Sequence, residues 1–142
     1  MRPITAILLC GSCILALEGG RAEAAPGLPA FSHQRAELFA KCSGRLAALA
    51  SHQRSMRLDD AGENDRLRAE FDMLLEAVLP DAYDQGVPSG QEDRWRSQGW
   101  SEIAGHLANQ LYSFDAGIAD YARQAAEVSI ARCRDLVLAP TT

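Results

Sequence analysis

Beyond residue 24 the chain has two cysteines, Cys42 and Cys133, and each falls on the apolar stripe of a helix-like segment. Around Cys42 the stripe is Leu38, Cys42, Leu46 and Leu49, with Phe39 beside it. Around Cys133 it is Ile118, Ala122, Ala125, Ser129, Cys133, Leu136 and Val137. Steps of three and four keep each set on one side of a helix. Both thiols are therefore expected to be buried, one near each end of the domain. Small neighbours (Ser43, Gly44 and Ser129) predict that these two helices approach closely enough for a disulfide, which needs a short Cα–Cα distance. Such a bridge closes almost the whole domain and is worth about 4–5 kcal/mol of chain entropy. The competing arrangement is two separate buried thiols. No C-x-x-C accompanies them, so a redox-active pair is not expected.

The bridge presupposes an oxidising compartment, and the N-terminus points to one. Arg2 begins a short basic segment, Ile4 to Leu17 is mostly apolar, and Ala22-Glu23-Ala24 precedes Ala25. This is the three-part pattern of a secretory signal peptide cleaved after Ala24. The apolar run is shorter than the ~20 residues that span a bilayer as a helix. A lipid-bearing Cys13 is the alternative, but Cys10 stands three residues before it where a leucine is usual, and the apolar run continues past it. Residues 25–142 then form a single helical domain in the periplasm or outside the cell, with no stable membrane insertion.

Charge narrows the partners. Residues 1–24 carry two arginines and two glutamates, so their loss leaves the net charge at −5. An acidic chain lacks the clustered basic surface that nucleic acid requires. It is equally unsuited to anionic lipid heads.

The segments read as all-α. Helix one is expected from Ser32, as its N-cap, to about Met56, and helix two to about Leu79, on the stripe Leu67, Phe71, Leu74, Leu75 and Val78. Asp60 with Glu63 and Ser89 with Glu92 have capping-box spacing. The stretch "PDAYDQGVPSG" predicts the clearest break. Helix three follows with Trp95, Gly99, Ile103, Leu107 and Leu111, and "YSFDAG" leaves open whether it runs on into the last helix. No stretch alternates with period two, and no hairpin turn signal is present. The fold expected is a small antiparallel bundle of three to four helices, with one disulfide linking the first and last.

Chemistry is sparse. No nucleophile elbow, zinc-protease motif, P-loop or dinucleotide fingerprint occurs. The acidic run Asp59, Asp60, Glu63 and Asp65 lacks the frame of a calcium loop and suits a helix start instead. His52 and Met56, four apart on one helix, together with His106, have side chains that suit copper(I). Met56 or Met73 with His106 is a pair that could ligate haem in a bundle. Trp95 and Trp100 are five residues apart and about 140° out of line on a helix. One should face the core and the other solvent, which makes Arg94, Trp95, Arg96 and Trp100 the expected surface for a protein partner. The function expected is that of a small exported binding or accessory factor without cofactor. The alternatives are a metal or haem carrier on the same bundle and an enzyme without a recognisable motif.

Intact mass spectrometry of the unreduced protein from its own host checks cleavage and bridge together. The expected mass is that of residues 25–142 less two hydrogens. A mass retaining residues 1–24, or two thiols open to alkylation in the native protein, would contradict the reading.

Overall fold

The structure, a computed structural model, describes residues 27–137. They form four helices: α1 (Ser32–Ser55), α2 (Ala61–Asp84), α3 (Gln91–Tyr112) and α4 (Ala116–Val137). The proposed signal segment lies outside the described residues. Among the described residues no helix is long and apolar enough to cross a membrane.

α1 is the spine of the molecule. Cys42, Ser43 and Gly44 are consecutive and all buried, so this helix is covered on several sides rather than along one stripe. Its alanines, Ala36, Ala40, Ala48 and Ala50, are buried as well and allow neighbours to approach closely. α2 packs antiparallel along one side, through Phe39 against Phe71 (ring centroids 6.1 Å apart) and through Leu46, Leu67 and Leu75 in the core.

The main interhelical departure from a regular square bundle is on the diagonal. α1 and α3 run in the same direction and pack extensively, whereas α2 and α3, neighbours in sequence, make little backbone contact. Two glycines cause this. A Cβ on Gly44 would overlap the Arg96 carbonyl and come within 2.9 Å of the Trp100 amide nitrogen. A Cβ on Gly99 would overlap the Lys41 carbonyl. Each helix thus presses its glycine onto the other's backbone. The close approach expected of Gly44 does occur, but its partner is α3 and not α4.

α4 closes the far side, antiparallel to α3, and meets α1 over a narrow zone. There Cys42 and Cys133 form a disulfide, S–S 2.01 Å and Cα–Cα 5.6 Å. The first and last helices are joined as expected. The buried stripe of α4 is Ala122, Ala126, Ile130 and Cys133, with Ser129 half-buried and Ile118 exposed. Leu74 on α2 and Leu111 on α3 are exposed too. These three differ from the sequence stripes because no helix covers the outer edge on which each lies.

The ends of the helices also depart from the sequence reading. Ser32 is the first helical residue, and its Oγ accepts a bond from Arg35 (3.0 Å) instead of capping. Asp60 and Gly90 precede α2 and α3, and neither supplies a side-chain cap, so the two capping boxes do not form. The Glu92 carboxylate instead accepts a hydrogen bond from the Tyr83 hydroxyl at 3.0 Å. α2 runs through Pro80 to Asp84, because Val78, Leu79 and Ala82 on either side of it are packed on the core. That burial offsets the ~3 kcal/mol an internal proline costs. α3 and α4 are separate helices. Asp115 Oδ1 accepts the amide hydrogens of Gly117 (2.7 Å) and Ile118 (3.2 Å), which caps α4.

Gly44→Ala and Gly99→Ala should each destabilise the protein by ~1–3 kcal/mol, since backbone rather than a flexible side chain must yield. Gly105→Ala meets nothing within 4 Å. It should instead stabilise by ~0.5–1 kcal/mol through helix propensity. Urea unfolding of the three variants checks this, and a neutral result at both 44 and 99 would contradict it.

Candidate partner-binding surface

The diagonal contact leaves two grooves that meet at Trp100. One, of about 580 Å³, lies where α2 and α3 splay apart over α1, with Ser43, Arg68, Asp72, Arg96 and Trp100 in its walls. The other, of about 240 Å³, runs between α1 and α3 toward their C-terminal ends. Its floor is small (Ala48, Ser51, Ala104 and Ala108), and Trp100, Leu111 and Tyr112 stand along it.

The four residues singled out in the sequence separate as the 140° offset on a helix requires. Trp95 is half-buried and packs against the core. Trp100 is 46% exposed between the two grooves. Arg96 holds the Asp72 carboxylate at 3.3 Å and Asp93 at 3.0 Å. Asp72 also accepts from Ser43 Oγ (2.7 Å) and Arg68 (3.1 Å), so one carboxylate ties α1, α2 and α3 under the first groove. Arg94 is exposed and contributes to neither groove. Arg96 and Trp100 are therefore brought together, while Trp95 faces away from them.

The sequence reading missed the continuation of this surface. Beyond Leu111, α3 ends on the exposed Tyr112, the turn to α4 carries the fully exposed Phe114, and Ile118 and Tyr121 follow, exposed, on α4. The available signal was Phe114 between Ser113 and Asp115, a lone aromatic in a polar three-residue turn, next to Tyr112 at the helix end.

The two histidines His52 and His106 line different grooves. His52 lines the groove with Trp100 and Leu111, whereas His106 lines another with Tyr121 and Val128. Met56 caps α1 and is half-exposed, and Met73 is exposed on α2. Among the described residues no three of His, Cys, Asp or Glu group as a metal site would need.

Behind the disulfide, Arg45 on α1 donates to Glu102 on α3 (2.8 Å), and Ser129 on α4 donates to the other oxygen of the same carboxylate (2.8 Å). Partial burial pushes the Glu102 carboxyl up. The bonds from Arg45 and Ser129, with the charges of Arg45 and His106, together outweigh it and hold the group below its ordinary value.

Comparison with protein-family models, with curated proteins and with solved structures finds no match for this chain.

A carboxyl held low in the fold adds stability that is complete above its unfolded value and is lost as pH falls through the folded one. Urea midpoints between about pH 5 and pH 3 should therefore fall more steeply for the native protein than for Glu102→Gln. Parallel curves would contradict a stabilising role for the Arg45–Glu102–Ser129 cluster.

Proposed function

We propose that this is a small exported binding protein that engages an apolar, helical segment of a partner protein through the Trp100 groove and the adjoining α3–α4 turn. One observation carries the reading. Trp100, Leu111, Tyr112 and Phe114 form an exposed apolar run along and beyond a groove between two helices. Monomeric proteins rarely leave such a run uncovered without a partner for it. Its small floor suits an amphipathic helix, which docks by laying apolar side chains into a groove between helices. Trp100 and Tyr112 are of the residue types that dominate binding energy, and Arg96, held by Asp72 and Asp93, stands beside Trp100.

The export expected from the sequence suits the same role. The leader-like residues 1–24 and the Cys42–Cys133 bridge both suit an oxidising compartment, where a domain held by a disulfide persists. The net charge of −5 directs the surface toward a protein rather than a nucleic acid.

A photo-crosslinking side chain placed at Tyr112 should give one discrete adduct in the native host, and the same group at Asp84, remote on α2, should give none. With the partner so identified, Trp100→Ala should weaken its binding by tenfold or more, an expectation of about 1.4 kcal/mol. Absence of a discrete adduct, or unchanged affinity in Trp100→Ala, would overturn the proposal.

A further inference from the structure

A second cavity lies on the α4 side of the α1–α3 contact, separate from Trp100. It measures about 740 Å³ and opens where α1 and α4 stand apart. That volume is within the ~300–1,000 Å³ of small-molecule sites. Its inner wall is apolar and comes from three helices: Leu49 on α1, Ile103 and Leu107 on α3, and Ala126 and Ile130 on α4.

Two polar groups break this wall. Gln53, 8% exposed, accepts from Asn64 Nδ2 through its Oε1 (2.7 Å), and its own amide N–H₂ donates to no described residue. Arg134, half-buried, donates through Nη2 to Asn64 Oδ1 (2.9 Å). Its Nε is buried and has no partner. Among the described residues no carboxylate pairs with it. Asn64 is fully buried and holds both groups through its two side-chain atoms, so the donors of Gln53 and Arg134 are fixed in place at one end of an apolar wall.

A partly buried guanidinium with no counter-ion among the described residues is unusual, since charge taken from water calls for a partner. The other charges in the cavity do not serve. Arg123 and Glu127 hold each other at 3.1 Å. Asp60 and Asp135 lie at the exposed rim, where solvent screens them, and neither is bonded to Arg134.

We infer that this cavity binds a small amphipathic monocarboxylate of the medium-chain fatty acid class. The carboxylate supplies the counter-ion that no described residue gives Arg134 and accepts from the Gln53 amide, and the chain lies along Leu49, Ile103, Leu107 and Ile130. A single guanidinium fork matches a single carboxylate.

Isothermal titration of the intact oxidised protein with sodium decanoate, below its micelle concentration, tests the assignment. One decanoate should bind per chain. Decan-1-ol, which keeps the chain and loses the charge, and decyltrimethylammonium, which reverses it, should each bind at least tenfold more weakly. Arg134→Gln, which can still donate to Asn64, should lose about tenfold in affinity for decanoate while binding of decan-1-ol stays the same. Ala131→Trp, at an exposed position in the cavity wall, should weaken both, and carries the test if Arg134→Gln fails to fold. No decanoate uptake, equal binding of the ammonium analogue, or unchanged decanoate affinity in a folded Arg134→Gln or Ala131→Trp protein would overturn the inference.

Discussion

Everything in this fold that departs from a regular four-helix bundle follows from two missing side chains. At Gly44 and Gly99 the backbones of α1 and α3 meet directly, each glycine against the other helix's carbonyl. In a square bundle these helices would face each other across the core. Here the diagonal collapses, and α2 and α4 are displaced to the flanks. α2 stays on α1 and α4 stays on α3, because those pairs are joined by short connections and large apolar faces. The other two edges of the square open.

Each open edge acquires polar or covalent fastening in place of side-chain packing. On the α2–α3 edge, Asp72 gathers Ser43, Arg68 and Arg96. On the α1–α4 edge, the disulfide and the Arg45–Glu102–Ser129 cluster lie side by side, and Arg134 reaches past α1 to Asn64 on α2. The bridge is thus placed in the narrow zone where α1 and α4 meet. Openings remain beside these fastenings, and they are the two surfaces with recognisable binding chemistry. In the function proposed, the aromatic side chains that line one suit another protein; the other has an apolar wall ending in a cation that no described carboxylate pairs.

The helices, the buried cysteines and the opposed tryptophans were legible in the sequence because each depends on periodicity within one segment. Cys42, Leu46, Phe71 and Ile103 are core residues as their spacing requires. The diagonal contact was not legible. Gly44 and Gly99 look like any small residue until it is known which helix each one faces. The same gap explains Leu74, Leu111 and Ile118, apolar at core spacing yet exposed, since burial depends on a neighbour that the pattern of one helix cannot specify. Local signals failed in the other direction at Pro80, where core contacts on both sides carried the helix through. In the turn after α1 the left-handed residue is Arg57, while the nearby Gly62 lies inside α2. The candidate cation in the second cavity was invisible for a related reason. Arg134 is one of many arginines until α4 is set against α1 and α2.

Residue-resolved hydrogen exchange of the oxidised protein tests the central claim most directly. If the α1–α3 contact organises the fold, the amides flanking Gly44 and Gly99 belong to one cooperative unit and exchange only through global unfolding. The outer turns of α2 and α4 then open at lower free energy, with α1 and α3 still protected. Were α3 instead to lose protection together with α4 while the α1–α2 pair stayed closed, the molecule would be two hairpins held by a bridge, and the glycine contact would not be what organises it.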